Sequence, residues 1–273
     1  MLIDLHSHSY YSDGIFSPTE VVKMAKNSNC DAFALTDHDS IEGFVEAQTA
    51  AKEVGLNLIT GVEISALWNN MTIHIVALNF DENNLEIKNL LQKHQNLRKD
   101  RAVKMGRGLE AAGVKDAMIK TQNLVQKNMI TRTHFARMLI ESGYCKDMSS
   151  VFKRYLTGKK PGGINCKWLD LSIVIDIIKQ SGGLAIIAHP LRYRMTNTKI
   201  KRLFAEFKNL GGDGVEVITG SSTFDNIDLV LKWSEEFGLM QSSGSDFHGD
   251  NDYIKIGKLK NINLPNPIWR KFC

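Results

Sequence analysis

Seven times along this chain a short apolar run with strand character breaks into histidine or carboxylate. The breaks fall at His6 and His8, Asp37 and His38, Glu63, His74, His189, Glu216, and Asp246 and His248. Helical stretches separate most of the runs, so the pattern reads as βα alternation. In a parallel α/β barrel every strand delivers its C-terminal end to one face, where residues remote in sequence converge. The opening stretch has the local geometry to take part. His6 and His8 stand at i and i+2, which in an extended chain points both rings to one side. Asp13 follows on a Ser-Asp-Gly turn able to swing its carboxylate back over the strand end. A single His-x-His carries little weight; its repetition from strand to strand carries the argument. Imidazoles and carboxylates with no cysteine among them suit a multinuclear site of zinc, manganese or iron. Glu63, with two oxygens, is a natural bridge between ions. Of the remaining histidines, His134 falls in a helical stretch and His94 reads as a surface residue.

The 273 residues suffice for one barrel of roughly 250. Ser17-Pro18-Thr19-Glu20 reads as a helix start, with a Ser cap, Pro in the first turn and Glu three residues on. Ser40 is expected to cap the next helix, which stops near Gly55. Residues 56–61 form a third strand and 72–79 a fourth, in which His74 shares a face with Thr72 and Val76. From about 81 to 169 only helical periodicity is legible, with Leu90, Leu91, Leu97, Val103 and Leu109 as its apolar face. The βα alternation resumes with Asp170 as a helix cap. The expected organisation is therefore a barrel built from 1–80 and 170–273, with 81–169 as a helical insertion subdomain.

The net charge of +4 is modest, but cations gather at Lys93, Arg98, Lys99, Arg101, Lys104 and Arg107, opposed by Asp100 alone. Such a run is either a solvated helix face or a cationic wall that attracts a polyanion. No apolar run is long enough to cross a bilayer, and no signal peptide is recognisable. Four scattered cysteines (Cys30, Cys145, Cys166, Cys273) without a C-x-x-C pair point to free thiols and a cytoplasmic setting.

Several separated motifs, taken together, resemble a known family. Asp4-Leu5-His6-Ser7-His8, Thr36-Asp37-His38-Asp39, Gly61-Val62-Glu63-Ile64-Ser65, Ile73-His74-Ile75-Val76, Ala188-His189-Pro190 and Gly244-Ser245-Asp246-Phe247-His248 are similar to the motifs of the polymerase-and-histidinol-phosphatase (PHP) family. Thr131-Arg132-Thr133-His134-Phe135-Ala136-Arg137, Val151-Phe152-Lys153-Arg154-Tyr155-Leu156 and His189-Pro190-Leu191-Arg192-Tyr193 extend the likeness to the branch of bacterial nucleoside 3′,5′-bisphosphate phosphatases that also act as 5′→3′ exoribonucleases. The resemblance implies an α/β fold, a distorted (β/α)7 barrel of TIM-like, PHP type, holding three divalent ions. Manganese is expected, with zinc or iron as alternatives. Carried over by position, His6, His8, Glu63 and Asp246 hold one ion. Glu63 bridges to a second with His74 and His189, and Asp13, His38 and His248 hold the third. The family's phosphate-binding cations map to Arg98, Lys99 and Arg101, and a substrate-contacting histidine to His134. Asp13, His38 and His248 then face substrate as well as metal. The stretch Gly162 to Trp168 departs from the family's usual loop, and the helix after Arg192 does not align residue by residue.

The expected activity is hydrolysis of a phosphate ester of a nucleoside 3′,5′-bisphosphate, or removal of nucleotides from short 5′-phosphorylated RNA. Arg98, Lys99 and Arg101 would clamp a second phosphate, while His134 binds phosphate or donates a proton to the leaving oxygen. Asp4 and Asp37 are expected to orient histidines, and Glu216 to be structural or to do the same. Nothing in the pattern calls for a membrane or an obligatory protein partner. The competing readings are a histidinol-phosphate phosphatase of the same family and a nucleic-acid-binding module with a decayed metal site. The basic cluster argues against the first and the intact set of ligand-type residues against the second.

Overall fold

The computed structural model describes residues 1–127, 129–249 and 253–272. In chain order its elements are β1 (Ile3–Asp4), α1 (Pro18–Asn27), β2 (Ala32–Leu35), α2 (Phe44–Val54), β3 (Asn57–Trp68) and β4 (Met71–Leu78). Then come α3 (Leu85–Ala111), α4 (Ala117–Asn123), α5 (Arg132–Glu141), α6 (Met148–Val151) and a π-helical turn, Phe152–Leu156. The second half holds α7 (Leu171–Gln180), β5 (Leu184–Ile187), α8 (Asn197–Asn209), β6 (Gly214–Thr219), α9 (Phe224–Glu236) and β7 (Met240–Gly244).

Among the described residues the seven strands form one sheet in sequence order. It curls until its two edges meet: Leu5 N–H donates to the Ser243 carbonyl at 3.0 Å, and Ser7 bridges Phe247. The result is a nearly closed, distorted barrel with helices outside. The seam tolerates no bulk. A Cβ on Gly244 would lie 2.3 Å from His6 Cβ and 2.8 Å from His6 N, so glycine is what lets the last strand lie against the first histidine.

Period-two alternation sorts each strand into an outer and an inner row. In β4, Ile73, Ile75 and Ala77 join the large outer core with α3 and α7, while Val76 and Leu78 join the inner core. His74 follows the inner row. Ile186 and Ala188 from β5 and Ile3 and Leu5 from the first strand complete that inner core, and Ile268 closes it from below. Apolar residues thus fill the bottom of the barrel and polar ones line the top.

The expectation of an all-parallel barrel needs correction. β3 continues through Glu63 to Trp68, and β4 returns antiparallel to it and to β5. His74 therefore enters the mouth from a descending strand, paired opposite Ser65, not from a strand's C-terminal end. A two-residue connection, Asn69-Asn70, with both residues at positive φ, makes this hairpin. Asparagine tolerates that conformation, and it is the feature that could have betrayed the hairpin in the sequence.

The α1 start is as expected, a capping box between Ser17 and Glu20 behind Pro18. Ser40, however, does not cap α2; its hydroxyl accepts from Glu42 N, and Gly43 precedes the helix without a side-chain cap. In α3, Leu90, Leu91 and Leu109 are buried as expected, but Val103 faces solvent and Ala102 and Met105 take the inner face. The helices from the end of α3 to the π turn share a core of their own built on Met105, Leu109, Phe135, Met138, Leu139 and Leu156. Cys30, Cys145 and Cys166 are free thiols; Cys273 lies outside the described residues. No helix among the described residues is long and apolar enough to cross a membrane.

Candidate metal centre

Glu63 is fully buried and stands at the centre of the mouth. Its Oε1 lies 2.9 Å from His74 Nδ1 and 2.9 Å from His189 Nε2. Its Oε2 lies 2.8 Å from His38 Nδ1, 3.3 Å from His6 Nε2 and 3.4 Å from His8 Nε2. One carboxylate therefore presents each oxygen to a different group of imidazoles. Asp246 Oδ1 sits 3.1 Å from His8 Nε2 and 3.3 Å from His6 Nε2, while Asp13 Oδ1 faces His248 Nε2 at 3.3 Å and His38 Nε2 at 3.9 Å. All nine residues expected to hold metal meet in this one cluster.

The ligand atoms fall into three overlapping groups, each within 4.8 Å: His6, His8, Glu63 and Asp246; His38, Glu63 and His74; and His8, Asp13, His38 and His248. The first matches the set expected by resemblance. In the second, His38 joins Glu63 and His74, while His189 approaches through Glu63 Oε1. In the third, His8 joins the expected set.

The electrostatics follow from this crowding. Burial alone would push the Glu63 carboxyl up, but His38, His74 and His6 hold it well below the usual range. Asp13 and Asp246 are held low against burial in the same way, by His248 and His38 and by His6 and His248. Anionic oxygens thus face imidazole nitrogens in a largely buried cluster. Among the described residues, Asp13 Oδ1, His38 Nδ1, Glu63 Oε2 and His189 Nδ1 are buried and make no hydrogen bond of normal geometry, although the first three lie close to oppositely charged or ring atoms of the cluster. Buried polar atoms are normally paired, and oxygen and imidazole donors without partners are what divalent cations use. The residues fit a multinuclear metal site.

Groups behind the mouth aim the rings. Glu216, at mid-strand in β6, accepts from His6 Nδ1–H at 2.6 Å through one oxygen and from His189 N–H at 2.6 Å through the other. The first bond fixes the proton on Nδ1 and leaves the Nε2 lone pair toward the centre. His248 is aimed alike, its Nδ1–H donating to the Asp246 carbonyl at 3.0 Å. Asp4 holds backbone, not a histidine ring, whereas Asp37 acts on a ring at one remove, through Ser12, whose Oγ lies 3.3 Å from His8 Nδ1. Asp37 accepts from Ser9 N–H (2.8 Å), Ser9 Oγ–H (2.6 Å) and Ser12 Oγ–H (2.6 Å), fixing the loop that carries Asp13; burial pushes its carboxyl up to about 6. Asp4 accepts from Ser245 N–H (2.7 Å) and Gly257 N–H (2.9 Å), tying the first strand to the segment that carries Asp246.

Of the expected phosphate clamp, Arg98 and Arg101 both border the cavity beside the metal residues, but their guanidinium groups are held differently. Arg98 is buried, but Asp39 already holds it: Nε donates to Asp39 Oδ2 at 2.7 Å and Nη2 to Ser65 Oγ at 3.0 Å. His94, expected at the surface, is fully buried and lies 3.0 Å from Asp39 Oδ1. Helical spacing explains the error, since residues 94, 98 and 101 share one face of α3, and that face looks inward. Lys99 points out of the mouth into a neighbouring cleft with Tyr11, Gln92 and Gln95. Arg101 alone of the three keeps an uncommitted guanidinium beside the metal residues. It is 7% exposed, its Nε has no partner among the described residues, and Trp168 covers it at 5.5 Å. Burial, then Arg98 and Arg132, push its guanidinium down to about 9. Arginine keeps its charge in proteins, so a buried guanidinium with a free Nε suits an anion.

Sequence reasoning missed two neighbours. Arg132, at the start of α5, donates from Nη2 to the Ile164 carbonyl at 2.7 Å, and its Nε is also without a partner among the described residues. It stands in a quoted motif, but nothing in its spacing marks it apart from Arg137. Trp168 belongs to the stretch that departs from the family pattern, and it packs over both Arg98 and Arg101. Asp13, His38, His74, Arg101, Arg132 and Trp168 border one cavity of about 210 Å³. His134 lies just behind it. Its Nδ1 accepts from Thr131 N–H at 3.1 Å, so its proton resides on Nε2, and burial pushes its pKa down to about 4. Its neighbour Thr133 donates to Asp13 Oδ2 at 2.9 Å, which seats the head of α5 against the cluster.

A sequence model described as PHP domain matches residues 4–164. A 5′-3′ exoribonuclease from Haemophilus influenzae is 44% identical over 272 residues, covering 98% of each chain. A 3′,5′-nucleoside bisphosphate phosphatase from Chromobacterium violaceum is 40% identical over 272 residues, covering 98% of this chain and 95% of that one. Among solved structures, one described as an amidohydrolase from Chromobacterium violaceum, with sulfate bound and no metal, is 40% identical and superposes with a TM-score of 0.95, covering 99% of this chain and 95% of that one.

Proposed function

Because this chain belongs to the PHP domain family, we propose that it is a metal-dependent phosphoesterase acting on nucleoside 3′,5′-bisphosphates and on the 5′ end of short phosphorylated RNA. The observation that carries the reading is a central carboxylate ringed by imidazoles, next to a buried arginine whose Nε has no partner among the described residues. The same two activities name its relatives.

In this reading His6, His8, Glu63 and Asp246 hold one divalent ion, Glu63 with His74 and His189 a second, and Asp13, His38 and His248 a third. Manganese is the expected metal, with zinc or iron fitting the same donors. Bound there, such ions supply a hydrolytic nucleophile at neutral pH and offset phosphate charge. The rest of the work falls to the chain. Arg101 and Arg132 bind the phosphate that is not cleaved, and they replace Arg98 and Lys99 in that role. Arg98 instead keeps α3 fixed to the barrel. Trp168 shields the Arg101 guanidinium from water, which strengthens its pull on an anion. His134 fits a phosphate hydrogen-bond donor better than a proton donor: with Nδ1 occupied by the Thr131 amide, the ring is neutral and offers a single N–H. Residues 81–169 act as a substrate-binding insertion. Work on nucleotides and RNA ends accords with a cytoplasmic setting and requires no protein partner.

The test is a parallel assay of the manganese-loaded protein on adenosine 3′,5′-bisphosphate, a short 5′-phosphorylated RNA and histidinol phosphate. Preference for the first two is expected, and faster turnover of histidinol phosphate would overturn the substrate assignment. Replacing Arg101 by Ala is expected to raise KM for the bisphosphate at least tenfold, with a smaller effect on an aryl phosphate, since a charge-assisted hydrogen bond contributes about 1.5–3 kcal/mol. Equal losses on both substrates would reduce Arg101 to a structural role.

A further inference from the structure

Lys99 is left without a task once Arg101 and Arg132 take the phosphate. It is exposed, and no ion pair engages it among the described residues. Gln92 and Gln95 share its face of α3, and the three side chains border a cleft of about 140 Å³ on the far side of Arg98 from the anion cavity. Arg98 borders both spaces, so the two adjoin. Facing α3 across the cleft are Tyr11 and Glu42, the latter the one carboxylate among the bordering residues. Tyr11 stands two residues before Asp13, on the loop that carries this ligand-type carboxylate. Its ring centre lies 5.4 Å from that of Tyr10, and Lys127 Nζ stands 4.7 Å from the first ring and 5.3 Å from the second.

We propose that this cleft carries the RNA strand beyond the phosphate that is cut, with Tyr11 stacking a base and Lys99 and Lys127 meeting the strand's phosphates. The proposal rests on the phosphoesterase reading and deepens it, because it names the part of the molecule that separates an RNA from a bisphosphate. A nucleoside bisphosphate ends at its two phosphates, one at the metal residues and one on Arg101 and Arg132. An RNA continues from the phosphate that is cut. Its path must therefore start at the metal residues, and the Asp13 loop leads from there to Tyr11.

The chemistry of the cleft suits a single strand of any sequence. Aromatic faces beside cations hold such strands through stacking and charge, and every base has a face to stack. Tyr11 is only partly buried, so part of its ring is available. Gln95 is tied down, its Nε2 donating to the Asp39 carbonyl at 3.3 Å, whereas Gln92 is exposed and offers its amide to the strand. The volume falls below the usual range for a pocket that encloses a small molecule, about 300–1,000 Å³. A strand that crosses the cleft on its way out of the mouth needs no enclosure.

The experiment compares adenosine 3′,5′-bisphosphate with 5′-phosphorylated oligoadenylate and oligouridylate of five nucleotides. Steady-state kinetics of the manganese-loaded protein are read over a range of salt, and binding of the labelled RNAs to the metal-free protein by fluorescence anisotropy. Tyr11→Leu is expected to raise KM for both RNAs about tenfold and to leave the bisphosphate within about twofold; Tyr11→Phe should restore the wild-type value. Lys99→Gln should lower the slope of log KM for RNA against log salt by about 0.7, the share of one phosphate contact to a single strand. Glu42→Gln removes a repulsive charge and should tighten RNA binding, a gain that loss of structure does not produce. Equal losses on bisphosphate and RNA, no loss on RNA, an unchanged salt slope or no gain from Glu42→Gln would overturn the RNA path. So would a wild-type protein that cleaves the bisphosphate but neither binds nor shortens the RNAs. One that hydrolyses none of the three compounds would overturn the phosphoesterase reading instead.

Discussion

At the scale of single residues, hydrogen bonds behind the mouth decide what each ring can do. His134 is depressed to about 4 from 6.5, so the unfolded chain binds the extra proton between those values. Stability from this group is present above pH 6.5 and lost as pH falls toward 4. Glutamine at this position can still accept from the Thr131 amide, as the third residue of a capping box does. His134→Gln should therefore lose less melting temperature than wild type across that interval, measured by calorimetry at several pH values. Parallel curves would show that the imidazole does not titrate there. Glu216→Gln removes one of two acceptors, freeing either the His6 ring or the His189 amide. Manganese affinity is expected to fall about 10–100-fold, and an unchanged titration would assign Glu216 to the core alone. The ligand-type residues themselves were legible, because strand ends recur with the same chemistry. Their supporting partners were harder to read. Glu216 at least stands out as a lone charge in Gly-Val-Glu-Val-Ile, whereas nothing in the sequence says that Asp37 meets serines and not histidines.

Among the elements, the contact between α3 and the barrel has the most at stake. Asp39, at φ +48, gathers His94, Arg98, Ser65 N–H and Ser65 Oγ–H on one carboxylate behind Glu63. Removing it strands a buried guanidinium, a loss of about 3–5 kcal/mol in comparable sites. Asp39→Ala should accordingly unfold at much lower denaturant, and it should also lose manganese affinity because α3 no longer backs the mouth. A midpoint within error of wild type would mean that water replaces the carboxylate. Helix existence and the apolar stripe of α3 could be read from periodicity. The inward turn of His94 and Arg98 could not, because periodicity describes one helix and is silent about which charges on its neighbour await it. The β3–β4 hairpin was missed for a related reason: expecting parallel strands, one reads Asn69-Asn70 as loop, although paired positive-φ asparagines favour a tight reversal.

For the molecule as a whole, two of the three ligand groups join the segment after β1 to the segment after β7, so metal bound there stabilises only the closed barrel. At free manganese a hundredfold above its dissociation constant, one site adds about 2.7 kcal/mol of stability. Melting temperature should rise with manganese and return to the metal-free value on chelation. A midpoint indifferent to metal would place the ions on a surface that unfolding does not disrupt. The overall architecture was accessible from the spacing of strands and helices along the chain.

The seam between Leu5 and Ser243 has a temporal consequence. During synthesis His6 and His8 are made well before Asp246 and His248, and the two ligand groups that draw on both of these segments are complete only when the last strand closes on the first. A chain that has not yet made its last strand can assemble at most the group of His38, Glu63 and His74. For a protein whose proposed substrate is RNA, the proposed activity thus waits on closure of the seam.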